Sequence, residues 1–383
     1  MKEKILLVFD KGLGHGGVES VIMSIVRNLS YKYTFDLLTN ISVEKAYDKE
    51  FISYGGKILR IPFYDGDCVF RKRLDYYIRG YYLYSKAMKL ISENMPYKAV
   101  HCNNGNEGGI VLAAARKAGV PIRIMHSHAV FSPDIFIRKI ITEKYRSLIM
   151  KNATCLLGCS EFACSLYYNR YDKIICNSYD SGKFFWNKTD DFLPHPFKLI
   201  QVGRYSQVKN QIFSMHILKS ILPIIPDATL DLVGAQGNEE EMVLRRAALD
   251  LAITDNVQFY RADADIPTLL KQADAFLLPS LSEGFGIALI EAQAVGLKCY
   301  ASDAVPRTTN CGGVEYISLS DGASMWAQTI VSDYQSGRCI HQKYDCSKYS
   351  IDNIMSEYIK VYGGGRYLES RNDYISQSTK YRC

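Results

Sequence analysis

The sequence predicts an α/β protein made of two doubly wound domains, each a parallel sheet with helices on both faces. Short apolar runs alternate with stretches of helical pattern along most of the chain, which is typical of such sheets. The length of 383 residues also exceeds what a single hydrophobic core usually serves. We therefore expect two domains, each with its own core.

The alternation begins with an apolar run at residues 4–9, a glycine-rich turn and a helical pattern at 18–29. A strand, a tight turn and a helix in this order open a doubly wound domain. The other strands predicted for the first domain are 35–38, 99–102, 122–125 and 155–159.

A segment from Phe192 to Phe197 carries two prolines and cannot continue a helix. We place the linker there, which gives a first domain of residues 1–192 and a second of residues 193–383. A final helix is predicted at about 351–361, either within the second domain or packed back on the first. Elements predicted for the second domain are strands 198–202, 230–233, 257–260, 275–278 and 298–301 and helices 239–251 and 266–271.

The composition excludes several classes of protein. With 48% hydrophobic and 22% charged residues, the chain has the composition of a folded globular protein. No apolar stretch reaches the roughly 20 residues that a membrane span needs, and the first apolar run is too short for a signal-peptide core. We therefore expect a cytoplasmic protein. The eleven cysteines lack the spacing of a zinc site and are interpreted as buried free thiols.

Charge is divided unevenly along the chain. Residues 1–195 carry 28 Lys and Arg against 19 Asp and Glu, a net charge of +9, whereas the remainder has a net charge of −3. A basic face attracts polyanions, including an anionic lipid surface. Within this half, Phe70 to Lys89 mixes basic residues with tyrosines, which suits a membrane interface. The alternative is an ordinary surface helix whose tyrosines pack on the core.

The most informative segment is Pro279 to Gly296, which follows a predicted strand and opens a helix. A glycine-rich loop at a helix N-terminus exposes free backbone N–H groups, which favours phosphate binding. Glu291 lies farther along this helix, where its carboxylate can accept hydrogen bonds from a ribose diol. Solvated surface charge is the alternative interpretation of the two glutamates. The loop itself consists of Glu283, Gly284, Phe285, Gly286 and Ile287.

Two basic residues, Arg204 and Lys209, lie in the turn after the first predicted strand of the second domain. A guanidinium and an ammonium there can neutralise a departing diphosphate. Basic residues in a turn are usually just solvated. A role for these two residues in diphosphate binding is favoured because they lie at the start of the domain that also contains the glycine-rich loop.

The opening turn, Gly12 to Gly17, has the glycine spacing of a dinucleotide-binding motif. An NAD enzyme should also carry an acidic residue at the end of its second strand, where this chain has Thr39 and Asn40. The dinucleotide interpretation therefore loses most of its support. Gly16 and Gly17 instead fit a turn that lets the backbone approach a ligand.

His126 and His128 follow a predicted strand, at the end where open α/β sheets bind ligands. A proton relay, hydrogen bonds to a sugar, a metal pair and a structural role all remain open for them. With no third ligand nearby in the sequence, we predict no metal site.

These motifs together resemble the GT-B-fold, retaining glycosyltransferases of family 4, in particular their bacterial exopolysaccharide and capsule branch. The resemblance implies two Rossmann-like domains facing across a cleft, the basic first domain on the acceptor side and the second on the donor side. Ala129 departs from the family, in which a small polar residue often follows the histidines. The matching segments are 16–19, 126–128, 159–161, 202–210 and 282–296.

For the donor, the resemblance implies a nucleoside diphosphate sugar as co-substrate and no further cofactor. Arg204 and Lys209 would grip its diphosphate, and Glu291 would bind its ribose. The implied donor-binding residues are Gly16, Gly17, Arg204, Lys209, Gly284, Phe285, Gly286, Ile287 and Glu291.

For the reaction, the resemblance implies retention of anomeric configuration without a metal ion, with the departing phosphate helping to deprotonate the acceptor. Glu283 would face the transferred sugar, and His126 or His128 would contact the donor sugar or the acceptor near the reacting carbon. The implied acceptor is a saccharide or lipid-linked oligosaccharide at the inner face of the cytoplasmic membrane, with no nucleic acid partner. Acidic triplets at 65–67 and 263–265, of the kind that other glycosyltransferases use to hold a metal, are interpreted as turns or caps.

Two rival functions remain at this point. A sugar-nucleotide epimerase of the same fold would convert the donor without an acceptor. An NAD-dependent oxidoreductase would bind its cofactor in the first domain.

Overall fold

The computed structural model describes residues 2–14, 16–61, 72–103, 107–128, 139–168, 170–187, 195–235, 237, 239–339 and 341–364. These divide into two compact units. One comprises the residues up to Asn177 together with those from Asp352 onward, and the other comprises Ser178–Ile351.

This division comes earlier in the chain than the predicted boundary at residues 192 and 193. Its physical reason is that Tyr179 already pairs with the second unit: its N–H donates to the Tyr349 carbonyl at 3.0 Å, and it bridges Ser350. Residues 188–194, which include the start of the predicted linker, lie outside the described residues.

The first unit is built on a parallel sheet. Its strands are β1 (Glu3–Val8), β2 (Tyr33–Thr39), β3 (Ile58–Arg60), β4 (Ala99–Cys102), β5 (Ile122–Ser127), β6 (Cys155–Gly158) and β7 (Lys173–Ile174). Its helices are α1 (Gly17–Leu29), α2 (Asp48–Ser53), α3 (Lys72–Glu93), α4 (Gly108–Lys117), α5 (Lys139–Asn152) and α6 (Glu161–Tyr167). The described strands are ordered β3-β2-β1-β4-β5-β6-β7. The order therefore reverses between β1 and β4, which is a topological switch point.

The second unit repeats this plan. Its strands are β8 (Lys198–Val202), β9 (Thr229–Ala235), β10 (Val257–Arg261), β11 (Ala275–Leu278), β12 (Lys298–Ser302) and β13 (Val314–Ile317). Its helices are α7 (Gln211–Ile221), α8 (Glu239–Asp250), α9 (Ile266–Lys271), α10 (Ile287–Ala294) and α11 (Gly322–Gln335). The described strands are ordered β10-β9-β8-β11-β12-β13, so the switch point lies between β8 and β11.

A last helix, α12 (Ile351–Tyr362), belongs from Asp352 onward to the first unit. Tyr362 is fully buried there, packed edge-on against Tyr33 with ring centroids 5.4 Å apart. Burying an aromatic side chain of this size contributes about 2–3 kcal/mol, which is why the end of the chain returns to the first core.

Each unit has its own apolar core between sheet and helices. In the first, α1 buries six apolar side chains at helical spacing against the sheet. In the second, Trp326 of α11 is fully buried and packs edge-on against Phe213 of α7. The prediction of two parallel, doubly wound α/β domains is confirmed.

The predicted strands all exist, with ends within two residues of the observed ones. The sequence missed β3, β7 and β13 and the helix α11. These three strands lie at or beside sheet edges and are only partly buried, so they lack the continuous apolar run that marked the others.

Candidate active site

Two loops lie side by side at the switch point of the second unit, one after β8 and one after β11. The N–H of Leu281 donates to the Val208 carbonyl at 2.8 Å, and Asn210 Nδ2 donates to the Pro279 carbonyl at 3.1 Å. Asn210 adopts a left-handed conformation with φ of 55°, which asparagine tolerates better than most residues. These two hydrogen bonds hold the loops in contact with each other.

Lys209 and Glu283 form an ion pair across these loops. The carboxylate of Glu283 is 8% exposed and also accepts a hydrogen bond of 2.9 Å from Ser280 Oγ. The backbone of Lys209 is also held by a hydrogen bond, since Gln201 Nε2 donates to its carbonyl at 2.7 Å. An ammonium and a carboxylate are therefore fixed at the carboxyl end of the sheet.

Helix α10 begins at the same edge. Its N-cap, Gly286, has φ of 86°, a conformation that a side chain would strain. In the described part of the chain nothing accepts a hydrogen bond from the N–H groups of Gly286, Ile287 or Ala288. Phe285 is 3% exposed and packs edge-on against Tyr349, with centroids 5.6 Å apart. The loop is thus anchored by its aromatic ring while its N–H groups stay available to an anion.

Glu291 lies in the second turn of α10 and is half-buried. No described residue donates a hydrogen bond to its carboxylate or pairs with it. Burial, with a smaller contribution from Asp180, raises the pKa of Glu291 to about 7. A carboxylate that is desolvated without a partner is suited to accept hydrogen bonds from a ligand.

Arg204 is exposed in the loop after β8, and no described acidic side chain pairs with it. The turn that presents it is tight: a side chain at Gly234 would run into the Gly203 carbonyl, so the end of β9 packs directly on this loop. In the second unit the loops after β8 and β11 therefore carry Arg204, Lys209 and Glu283, and helix α10, which follows the second loop, carries Glu291. These are the same residues that the sequence predicts.

In the first unit, three histidines line up at the carboxyl ends of β4 and β5. His101 Nε2 lies 3.3 Å from His126 Nδ1, and the His126 and His128 rings are 4.1 Å apart between centroids. Burial lowers the pKa of His101 to about 3 and of His128 to about 4, and it also lowers the pKa of His126. His126 is wholly buried and His128 is half-buried, so His128 is the more accessible of the two predicted histidines.

Asn103 and Tyr362 also belong to this group, and the sequence did not single them out. Asn103 Oδ1 lies 3.0 Å from His128 Nε2, and Tyr362 Oη lies 2.8 Å from His101 Nδ1. Asn103 directly follows β4, so the rule that selected the residues after β5 would have found it. Nothing in the sequence connects Tyr362 with a histidine 261 residues away.

Gly16 and Gly17 open α1, with Gly16 as its N-cap. A side chain at Gly16 would run into the carboxylate of Glu19, which folds back over the start of the helix. This helix N-terminus lies beside the switch point of the first unit, because it follows β1 directly.

Helix α3 contains most of the basic and aromatic stretch, although its side chains before Gly80 lie outside the described residues. Leu83, Ala87 and Ile91 are buried in the core, whereas Tyr81 is 75% exposed. Lys86 Nζ lies 5.5 Å from the Tyr82 ring centroid. The helix thus packs through an apolar stripe and presents tyrosine and lysine outward. None of the described helices is long and apolar enough to cross a membrane.

The other candidate features have structural roles where they are described. Asp265 caps α9 by accepting from Thr268, and Asp263 pairs with Arg261 at 3.0 Å, as turns and caps would. Asp65 and Asp67 lie outside the described residues. The nine described cysteines are free, and seven of them are buried. No group of three or more potential metal ligands occurs in the described part of the chain.

The residues of the second unit's candidate site lie within a known protein family. The family "Glycosyl transferases group 1" matches residues 186–309, which include Arg204, Lys209, Glu283 and Glu291. The chain is a glycosyltransferase. Over 358 residues, 88% of the chain, the glycosyltransferase is 29% identical to 89% of a Bacillus subtilis (strain 168) protein named "Putative glycosyltransferase EpsF".

Two further similarities are to a named enzyme and to a solved structure. The Escherichia coli UDP-Gal:alpha-D-GlcNAc-diphosphoundecaprenol alpha-1,3-galactosyltransferase is 29% identical over 232 residues, 54% of this glycosyltransferase and 58% of that enzyme. The structure of Anabaena Alr3699/HepE in complex with UDP-glucose has a TM-score of 0.71 at 17% identity, covering 94% of this chain and 99% of that one. The GT-B fold is thereby confirmed, and these relatives favour neither an epimerase nor an oxidoreductase.

Proposed function

We propose that this glycosyltransferase transfers a glycosyl group from a nucleoside diphosphate sugar to a lipid-linked saccharide, with retention of configuration and without a metal ion. The observation that carries the proposal is the switch-point site of the second unit. Among the described residues it presents the cations Arg204 and Lys209, N–H groups of α10 that have no acceptor and the carboxylate of Glu291, which has no donor. These groups complement a diphosphate and a ribose.

In this proposal Arg204, Lys209 and the α10 N-terminus neutralise the diphosphate as the bond to the sugar breaks. Gly284 to Ile287 supply the backbone for this contact, and Gly16 and Gly17 let the first unit's backbone approach the substrate. Glu291 accepts hydrogen bonds from the ribose hydroxyls, and Glu283, held by Lys209 and Ser280, faces the transferred sugar.

The acceptor side of the proposal rests on His128 and on the relatives. His128 contacts a substrate sugar near the reacting carbon, since His126 is wholly buried. The acceptor hydroxyl attacks on the face that the nucleotide leaves, and the departing phosphate takes its proton. A lipid-linked acceptor in cell-surface polysaccharide synthesis is proposed because the E. coli relative's name specifies a diphosphoundecaprenol-linked sugar.

We expect transfer from UDP-glucose or another nucleotide sugar to a polyprenyl-diphosphate-linked saccharide, with the product bond in the donor's anomeric configuration. Excess EDTA should change the rate less than twofold, because protein cations replace the metal at the diphosphate. NMR of the product and assays with and without EDTA measure both. An inverted linkage, or activity that returns only on adding a divalent cation, would contradict the mechanism. Donor turnover that needs no acceptor would instead indicate an epimerase.

We also propose that the basic first unit binds, through α3, the anionic lipid surface at the inner face of the cytoplasmic membrane. We expect vesicles containing phosphatidylglycerol to carry the protein upward in flotation, and the binding to weaken with salt. Replacing Tyr81 and Lys86 together by serine should reduce binding roughly tenfold. The matched control replaces Tyr31 and Lys32, an exposed pair elsewhere in the unit. Equal loss in both variants, or no flotation of the unaltered protein, would refute the proposal.

A further inference from the structure

The orientation of the Asn103 side chain is fixed by its surroundings. Asn103 is 3% exposed, and its backbone N–H donates to the Val8 carbonyl at 2.9 Å. Its Nδ2 lies 3.4 Å from the His101 carbonyl, which can only accept a hydrogen bond. The amide nitrogen must therefore face His101, and the amide oxygen faces His128.

This orientation determines the tautomer of His128. Asn103 Oδ1 is an acceptor 3.0 Å from His128 Nε2, so Nε2 carries the hydrogen and donates it. In the neutral ring the other nitrogen, Nδ1, then holds a lone pair. That atom is buried and has no hydrogen-bond partner in the described part of the chain. A buried acceptor without a partner is costly unless a ligand supplies the donor.

The His126 ring, which packs against His128, is itself held by a chain of contacts. Tyr362 Oη lies 2.8 Å from His101 Nδ1, and His101 Nε2 lies 3.3 Å from His126 Nδ1. His126 in turn packs against His128, with the planes tilted by 33°. Burial keeps His101 and His126 neutral at physiological pH, so neither of them places a charge beside His128.

We infer that Asn103 is a positioning residue that holds His128 as a neutral hydrogen-bond acceptor, with Nδ1 directed to a hydroxyl group of a substrate sugar. This inference rests on the proposed function, in which His128 contacts substrate. It specifies the chemistry of that contact: a lone pair accepts from a hydroxyl and cannot bind a phosphate oxygen, which offers no hydrogen. The Asn103 side chain touches no reacting atom and acts through His128.

Asn103→Asp tests the inference through a pH profile. A carboxylate beside Nε2 stabilises the imidazolium and raises the pKa of His128, and below that pKa Nδ1 carries a hydrogen and cannot accept one. Among the described residues, the titratable groups packed around the site are His101, His126, Tyr358 and Tyr362. We expect the ratio of variant to unaltered kcat/KM to fall about tenfold from pH 8 to pH 6. A ratio that is constant with pH would overturn the inference.

A second measurement reads the tautomer in the unaltered protein and uses a variant only to assign the signal. In long-range proton–nitrogen spectra of the unaltered protein labelled with ¹⁵N-histidine, His128 should carry its hydrogen on Nε2, with the signal assigned by its loss in His128→Asn. A hydrogen on Nδ1 would overturn the inference. The proposed function fails separately: it loses its acceptor-side residue if His128→Ala keeps full activity, whatever the Asn103 variant shows.

Discussion

Replacing Glu291 by glutamine should weaken binding of UDP-glucose or another accepted nucleotide sugar roughly a hundredfold, because one of the two hydrogen bonds from ribose is lost and the other no longer has a charged acceptor. The glutamine has nearly the same shape, and its neutral amide can accept at only one atom. Isothermal titration of the purified protein measures the effect. Unchanged affinity would refute the assignment of Glu291 to the donor.

The same site predicts a pH dependence of donor binding. Burial raises the pKa of Glu291 to about 7 in the free protein, and the ionised carboxylate accepts hydrogen bonds from both ribose hydroxyls more strongly than the protonated carboxyl group does. Affinity should therefore rise about tenfold from pH 6 to pH 8, with proton release on binding near pH 7. A nucleotide sugar is the correct probe because its diphosphate does not titrate in this range. The Glu291→Gln variant should lose this dependence.

The stability of the free protein gives the control for this variant. Since the folded pKa of Glu291 lies above its ordinary value of 4.5, the stabilising contribution of the protonated side chain is complete below 4.5 and lost as the pH rises through 7. At pH 8 the folded protein therefore contains a poorly solvated charge. Glu291→Gln should be at least as stable as the unaltered protein there, so weaker binding cannot be ascribed to unfolding.

Replacing Arg204 or Lys209 by methionine should lower kcat about a hundredfold in each case. Each change removes a cation that stabilises the charge developing on the leaving diphosphate. Steady-state kinetics at saturating donor measure the effect. Arg246→Met, which removes an exposed arginine of α8 from an ion pair with Asp250, is the matched control and should keep full activity.

The Arg204→Met and Lys209→Met variants should differ in their free energy of unfolding. Lys209→Met leaves the 8% exposed carboxylate of Glu283 without its ammonium, with Ser280 as its remaining partner among the described residues, and should cost about 1–3 kcal/mol in the free energy of unfolding. Arg204 is exposed and pairs with no described acid, so its variant should stay within about 0.5 kcal/mol. Equal kinetic loss with unequal stability would support a shared role at the diphosphate. Full activity of Arg204→Met would contradict it.

The sequence by itself determined the order of the buried strands along the chain and the loops that carry the candidate site. A buried parallel strand is a continuous apolar run, and a helix after a glycine-rich turn has its own period, so both can be recognised from neighbouring residues. Because ligands of doubly wound sheets bind beyond the carboxyl ends of strands, that order already pointed to Arg204, Lys209 and the loop from Glu283 to Ile287.

Only the tertiary structure decided which of these residues meet and which are accessible. The pairing of Lys209 with Glu283 and the contact of Tyr362 with His101 join residues from separate elements, and packing leaves His128 half-buried while His126 is wholly buried. The partly buried edge strands and the division at Asn177 likewise depend on packing. Local sequence pattern reports which face of an element is apolar, whereas hydrogen-bond partners and burial are set by segments distant in the chain.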